Sequence, residues 1–576
     1  MDNIIAYIIF AVVGYRLYKW RMSSAPTTFG SADWLRAWVV SGKGMFRKGG
    51  LLLGDWAGLL PVYYRGAGHA LTVAPTGAGK GVNAIIPNLL QHNWIFLLDP
   101  GGENAAVASR AWQARGYSFL CLNPWGMHDR EPWSLPSHSL NPLSILDPAS
   151  ETFSSDAELL ADMIVVRSGS ESGSSAYFKE EAVSGIRAFL MHIMTAEPVA
   201  RQNLLTLREY ISCEASEWEK LIAAMKRNRA AGGLIAREAA QHERREAQSP
   251  EEFSAILSTM KQDTNFIEDP VMQRALSRSD ADLSELKGLR DGKKLLGCAV
   301  AVVIPLEYIE THAAYARLII GCALWTMQRA PLARGRVLFV LDEFPALKRM
   351  DKIAKGLAQL RKYRVWLWPI LQNIGQLKQI YGQNWQTFIS NAGVKQFIGA
   401  SDLETAQYVS DLCGEGTIVV PKRQMEMARR LATPQEIMNM SSDLQIVIAD
   451  NLRPMLLQKR AYWLRPGLRG TFNRNPFHGA TPNLDHRTVF WAFQGAWVRL
   501  ISWLLRPSPV VVALLMAGLS VGLDVQILVN QSAASYGSAS QCTFISSRGF
   551  RHYTSDIPDC PPFVLGDPES RRRRNG

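Results

Sequence analysis

The sequence predicts an α/β protein built on a parallel sheet covered on both faces. Three observations predict it. Near-continuous apolar strands alternate with helix-patterned stretches from about residue 70 to 124, and apolar strands return between about 295 and 450. One of these strands runs into a glycine-rich turn that ends in a lysine, and another runs into two adjacent carboxylates. Strands buried on both sides are apolar throughout, whereas a half-exposed antiparallel strand alternates.

The elements follow in order. "HALTVAPT", "WIFLLDP" and "FLCLNP" read as strands, with "GVNAIIPNLL" and "NAAVASRAWQARG" as the helices between them. From about 152 to 290 strand signals vanish. "AELLADMIVV", "YFKEEAVSGIRAFLMHIM", "EWEKLIAAMKRN" and "EEFSAILSTMKQ" carry apolar residues at helical spacing, which predicts an inserted all-helical domain. Strands resume with "LLGCAVAVVIP", "RVLFVLDE", "VWLWPILQ", "VKQFIGA" and "LQIVIAD".

A chain of 576 residues exceeds one ordinary domain. Its net charge of +12 favours a polyanion or an acidic membrane surface as partner. The seven cysteines show no C-x-x-C pair and no zinc spacing, so Cys121, Cys213, Cys298, Cys322 and Cys413 read as buried thiols. "IIAYIIFAVVGYRLY" near the N-terminus is a short membrane anchor or, alternatively, a buried N-terminal helix. As an anchor, the basic residues that follow it place the chain beyond in the cytoplasm. "PVVVALLMAGLSVGLDVQILVN", interrupted by Asp524, is a second candidate span. If it crosses, Cys542 and Cys560 reach an oxidising side where they can bridge. The Ser-rich end with its terminal "RRRR" reads as disordered.

The chemistry is concentrated in four places. In "LTVAPTGAGKGVNAII", Thr76, Gly77, Ala78, Gly79, Lys80, Gly81 and Val82 can aim backbone N–H groups and a helix start at phosphate oxygens, with Lys80 reaching the β and γ phosphates. Two positions depart from G-x-x-x-x-G-K-[ST]: Ala74 replaces a glycine, and Gly81 replaces the hydroxyl that would hold magnesium. In "RVLFVLDEFPAL", Asp342 is the candidate Mg²⁺ ligand and Glu343 the base for an attacking water. Gln372 ends a neighbouring strand and can sense the γ-phosphate. In "LRKYR", Arg361, Lys362 and Arg364 close a helix, and in a ring of subunits one of them can reach the next subunit's γ-phosphate as an arginine finger. Singly, each has a plainer structural alternative: a glycine turn, an acidic helix cap, a strand-end amide, a solvated helix end.

With these residues in place the chain resembles the type IV coupling proteins of the TraG type, the ATPases of conjugation and type IV secretion, over about residues 27 to 465. "FGSADWLRAWVV", "APTGAGKGVNAIIPNLL", "LLDPGGE", "LNPW", "SLNPLSIL", "LQNIGQLKQIYGQNWQTFISNAGVKQFIGASDLETAQYVSDLCG" and "ARRLATPQEIM" carry the resemblance in family order. It implies a RecA-like P-loop motor domain, an inserted all-α domain, an N-terminal membrane anchor and a homohexamer at the bacterial inner membrane. Likeness to a G-R-K in the family's corresponding helix makes Arg361 the arginine finger. The C-terminal apolar run lies outside the resemblance, and a second membrane segment there is inferred from its own residues. The expected layout is an anchor at 1–22, a leading segment at 23–68 and motor halves at 69–150 and 293–470 around helices at 151–292. A linker at 471–507, a candidate span at 508–530 and a tail at 531–576 complete it. Two departures stand out: only one short apolar segment precedes the motor, and Gly101 replaces the lysine of a D-P-K-G-E motif.

The resemblance implies ATP and Mg²⁺ as cofactors. It implies a relaxase with single-stranded DNA, or protein effectors, as cargo, and the components of a secretion channel as partners. Two other readings share the same residues: a nucleotide-gated receptor that docks substrate without pumping, and a chromosome or repair translocase of the same superfamily. Glu343 favours hydrolysis, since binding alone needs no base.

Overall fold

The computed structural model describes residues 27–169, 173–420 and 425–478, together with four strands between 525 and 565. The main sheet draws on β1 (Leu51–Trp56), β2 (Leu60–Tyr64), β3 (His69–Val73), β4 (Trp94–Pro100) and β5 (Ser118–Leu122). After a minimal hairpin of β6 (Leu289–Arg290) and β7 (Lys293–Lys294) it continues with β8 (Cys298–Ile304), β9 (Val337–Leu341), β10 (Val365–Leu371) and β11 (Ala392–Phe397). β12 (Glu415–Val420) and β13 (Met425–Arg430) pair with each other, and β14 (Leu444–Ala449) and β15 (Met455–Gln458) rejoin the main sheet.

The eleven-stranded order is β2-β1-β15-β14-β11-β3-β10-β9-β4-β8-β5. From β11 to β5 every pairing is parallel, and from β11 outward to β2 every pairing is antiparallel. The parallel part needs crossovers, and helices supply them. Successive side chains of a strand point to opposite faces, and both faces here are buried. Ile95 and Leu97 join a core with helices Gly81–Leu89 and Glu103–Ala114, while Phe96 and Leu98 join another with helices Phe153–Ile164 and Ala313–Gln328. That two-sided burial accounts for "WIFLLDP" being apolar until its last two residues. Phe96 and Phe339 sit opposite one another on β4 and β9 and stack at 4.8 Å.

A polar ladder stitches the parallel and antiparallel parts together. Trp368 Nε1 donates to Thr72 Oγ1 at 2.8 Å, and Thr72 donates to Gln396 Oε1 at 2.9 Å. Gln396 Nε2 reaches Gln445 Oε1 at 2.7 Å, and Gln445 Nε2 ends on the Leu53 carbonyl at 2.7 Å. Buried amides tolerate only one such arrangement, so the chain of bonds from β10 through β3, β11 and β14 to β1 fixes the register.

Between β5 and β8 lie helices Phe153–Ile164, Ser174–Ala196, Leu204–Ser212, Ala215–Arg227, Ala230–Gln248, Pro250–Asp263 and Pro270–Leu276. Asn203 and Asp269 start two of them by accepting N–H bonds at the N-cap. Phe189, Trp218, His242 and Phe253 pack ring against ring in their centre. The leading segment contributes β1 and β2 to the sheet, which its sequence reading did not anticipate. Leu51–Leu53 are buried there, and Asp55 is enclosed against Arg465 at 2.9 Å.

The tail differs from expectation. A second unit (residues 1–27 with 493–576) contains β16 (Val525–Ala533), β17 (Ser540–Ser546), β18 (Gly549–Ser555) and β19 (Phe563–Leu565), an antiparallel sheet in the order β18-β17-β16-β19. Serine content suggested disorder. The stretches between the serines, "VQILV", "CTFI" and "FRHYT", are rich in the β-branched and aromatic residues that favour strands. Residues 525–530 of the candidate second span therefore belong to a strand, and 508–524 lie outside the described residues, as do the expected anchor at 1–22 and Cys560. Among the described residues no helix is long and apolar enough to cross a membrane.

Candidate functional site

The glycine turn leaves β3 in register with β10: Ala74 N donates to the Leu371 carbonyl at 2.8 Å. The chain then turns at Pro75–Ala78, with Gly77 at φ 76° and Gly79 at φ 81°, values that favour glycine. Ala74 is not among the described residues with positive φ, so the missing first glycine costs nothing. After Lys80 the helix begins as a wide π turn over Gly81–Ile85 and tightens to α at Ile86–Leu89. Asn83 binds back to the Gly79 carbonyl through both its amide N–H and its side chain, each at 2.9 Å, which fixes the loop's exit. A Cβ on Gly79 would come within 2.5 Å of the Asn83 side-chain nitrogen, whereas one on Gly81 would meet Asn104 Oδ1 at 3.4 Å, an ordinary contact.

β10 separates β3 from β9, so the loop and the two carboxylates stand two strands apart with the end of β10 between them. Lys80 spans that gap. Its Nζ lies 2.7 Å from Asp342 Oδ1 and 2.9 Å from Glu343 Oε2. Gln372, just past β10, donates from Nε2 to Glu343 Oε1 at 2.6 Å, and its own N–H is held by Gln376 Oε1 at 2.9 Å. Burial works against the Lys80 charge, yet Asp342 and Glu343 together overcome it and raise the lysine pKa above its ordinary value. Burial likewise raises the Asp342 pKa, against the pull of Lys80. Glu343 sits in the left-handed region at φ 55°, ψ 43°, an unusual position for a glutamate.

Lys80, Asp342, Glu343 and Gln372 are thus brought together, with Thr76, Gly77, Ala78 and Gly79 in the loop before the lysine and Gly81 and Val82 opening the helix after it. Arg361 is not. It sits at the N-terminal end of β10, and its Nη2 donates to the Asn391 carbonyl at 3.0 Å. The length of β10, at about 3.3 Å per residue, puts it roughly 23 Å from Gln372 along the strand. The acid of "LLDPGGE" also has a local task. Asp99 is buried and accepts from Asn104 Nδ2 at 2.8 Å and Ala105 N at 2.7 Å, capping helix Glu103–Ala114. Burial pushes its pKa up to about 7 despite those bonds. Gly101 has φ 86°, a conformation in which a lysine would be strained.

Lys459 escaped the sequence reading. It follows β15, and its Nζ donates to the Ala78 carbonyl at 3.0 Å, bracing the loop from below. It borders a cleft of about 450 Å³ that runs from Thr76 and Gly77 past Gly399 and Ser401 to Met438 and Ser441. A lone lysine after a short strand carries no sequence signal; only the return of β15 to the sheet brings it here.

A glycine loop on one strand, carboxylates two strands away and an amide on the strand between define a P-loop protein of the α/β class. The family model for type IV secretory system conjugative DNA transfer matches residues 35–484, and the chain belongs to that family. Among curated proteins it is similar to Protein VirD4 of Agrobacterium fabrum, 27% identical over 70% of this chain and 60% of that protein. It is also similar to the conjugal transfer protein TraG of Agrobacterium fabrum, at 24% over 73% and 64%, and to the type IV secretion system-coupling protein VirD4 of Bartonella quintana, at 25% over 72% and 65%. The chain thus spans somewhat under two thirds of the length of these relatives. The fold matches that of the plasmid coupling protein TrwB solved with ADP and Mg²⁺, at TM-score 0.56 and 16% identity, over 75% of this chain and 94% of that one. TrwB with an ATP analogue superposes at TM-score 0.57 over 76% and 96%.

Proposed function

We propose that the protein is a membrane-anchored ATPase that couples a relaxase–single-stranded DNA complex, or a protein substrate, to a type IV secretion channel. The observation that carries this is the convergence of Lys80, Asp342, Glu343 and Gln372 at the ends of three consecutive strands, in a chain of the conjugative DNA transfer family. The site suits a magnesium triphosphate. Gly77 and Gly79 at positive φ open the loop's N–H groups, and a lysine and a carboxylate 2.7 Å apart can separate to take a phosphate and a metal. Magnesium held by Asp342 and phosphate oxygens would neutralise charge as it develops on the transferring phosphoryl group.

In this reading Lys80 gives up its carboxylate partners for the β and γ phosphates. Glu343, released, orients and deprotonates the attacking water, while Gln372 keeps it aimed and registers loss of the γ-phosphate. Arg361 serves the neighbouring protomer's site in a homohexamer at the bacterial inner membrane. The helices at 151–292 receive substrate, and the motor grips the DNA backbone without reading sequence.

Multiple-turnover ATP hydrolysis by the full-length protein, with and without single-stranded DNA, tests this against Lys80→Ala and Glu343→Gln. DNA-stimulated turnover abolished in both variants supports the motor. Near-zero turnover in all three, with ATP still bound by the wild type, supports a nucleotide-gated receptor. DNA affinity should fall steeply with salt, since each neutralised phosphate releases counterions.

A further inference from the structure

Arg317 belongs to the largest wholly enclosed side chains of the body, with 1% of its surface exposed. It rises from helix Ala313–Gln328, and its five hydrogen bonds all go to main-chain carbonyls. Nε donates to Met163 at 2.9 Å, and Nη2 donates to Asp162 at 2.9 Å and Val165 at 3.2 Å. Nη1 donates to Leu347 at 3.2 Å and to Arg349 at 2.6 Å. The first three acceptors are the C-terminal end of helix Phe153–Ile164, where the helical region begins. The other two close the turn Phe344–Leu347, which Glu343 opens.

A guanidinium is well matched to this place. The end of a helix carries partial negative charge on its last carbonyls, and five N–H donors in a fixed fork can satisfy several of them at once. Burial nonetheless lowers the pKa to about 10, so the group is charged at neutral pH and costly to enclose.

The turn it grips is strained at both ends. Glu343 is left-handed, and Lys348 has φ 57° with ψ −155°, a region that is essentially the preserve of glycine. Such conformations persist only where the surroundings enforce them. Here Phe344 packs against Tyr381 and Phe388, Met350 N donates to the Tyr381 hydroxyl, and Arg349 N donates to the Arg167 carbonyl at 2.9 Å. Arg317 joins the two segments through one side chain, bonding carbonyls of both.

We propose that Arg317 is a positioning residue for Glu343, a side-chain tether that, beside the main-chain pairing of Arg167 with Arg349, transmits displacement of helix Phe153–Ile164 to the carboxylate. Cargo that shifts the root of the helices pulls on the Met163 and Val165 carbonyls. The guanidinium follows, and the Leu347–Arg349 carbonyls move with it. Strain stored at Lys348 keeps the turn ready to change state. The catalytic half of this inference rests on the hydrolytic role proposed for Glu343; the tether itself does not.

Full-length Arg317→Lys, Lys348→Gly and Lys348→Ala test it. Arg317→Lys keeps the charge but cannot span both carbonyl sets, and Lys348→Gly relaxes the strained angle. Lys348→Ala removes only the surface pair with Glu310, leaving the strain. Three measurements are made: DNA-stimulated turnover, affinity for a fluorescent ATP analogue, and amide hydrogen exchange. Arg317→Lys is expected to lower kcat about 10- to 100-fold, with analogue affinity within about 2-fold of wild type. Exchange should accelerate together in residues 162–166 and 344–349. Lys348→Gly is expected to raise Tm while lowering kcat, and Lys348→Ala to do neither. Acceleration in only one of the two segments overturns the tether, and Lys348→Gly with raised Tm and unchanged kcat overturns the functional strain. If the wild type does not turn over ATP, the proposed function fails while the exchange arm still judges the tether.

Discussion

Gln372 Nε2 lies 2.6 Å from Glu343 Oε1, so the carboxylate that faces Lys80 on one side is held by an amide on the other. The geometry comes from strand order: β10 delivers Gln372 between the loop and the carboxylates. Removing the amide frees Glu343 to rotate without touching the loop. Gln372→Ala should therefore lower kcat about 10- to 100-fold while affinity for a fluorescent ATP analogue stays within about 2-fold. An equal loss in both quantities would assign Gln372 to nucleotide binding.

Arg361 sits at the opposite end of β10 from the site of its own chain. In the proposed assembly it is a second protomer that brings it to a triphosphate. Mixed assemblies of Arg361→Ala and Lys80→Ala subunits should recover ATPase activity that neither variant shows alone, because some interfaces then pair an intact loop with an intact arginine. An arginine finger contributes about 10³–10⁵ in rate, so even a small fraction of such interfaces is measurable. Absence of recovery would leave Arg361 the structural bond to Asn391.

Asp55 is fully enclosed beside Arg465, with Arg460 at 3.7 Å. Breaking one side of a buried pair strands the other charge, at a cost of about 3–5 kcal/mol. Asp55→Ala should lower the urea midpoint accordingly with little change in m, since the sheet stays paired and the same surface is exposed on unfolding.

Two histidines make the fold sensitive to acid. His242 is buried and His92 largely so, and desolvation lowers each pKa to about 4. Among the described residues neither ring nitrogen of His242 has a hydrogen-bond partner. The unfolded chain protonates these rings near pH 6.5 and the folded chain does not, so the stability present above pH 6.5 is lost as pH falls toward 4. Each group contributes up to about 3 kcal/mol to that loss. His242→Leu should flatten the dependence of urea midpoint on pH between 6.5 and 4 while leaving its value at pH 8 nearly unchanged.

The site was legible wherever a pattern had to be local. Thr76–Lys80 must be contiguous to wrap a phosphate, and Asp342–Glu343 must follow an apolar strand to be carried to the sheet edge. Gln372 was readable because it also ends such a strand, although its place between the other two needed the strand order. Lys459 and Arg317 were not readable. One acts after a strand that pairs far from the loop in sequence, and the other is an arginine in a mostly apolar helix, where nothing local names its five carbonyl partners. The first two strands hid for another reason: "LLLGDW" and "LPVYY" are short, and a bulge between Leu52 and Gly54 interrupts their alternation. At the far end, serine content masked strand-forming residues in the same segment.

The hydrogen-bonded row from Trp368 to Leu53 has a mechanical consequence. It bolts the strand beneath the phosphate loop to its neighbours on both sides, so those strands cannot slide when a ligand is gained or lost. The platform behaves as an anvil. If the proposed hydrolysis takes place above it, the work would pass to segments outside this row instead of leaking away as shear within the floor.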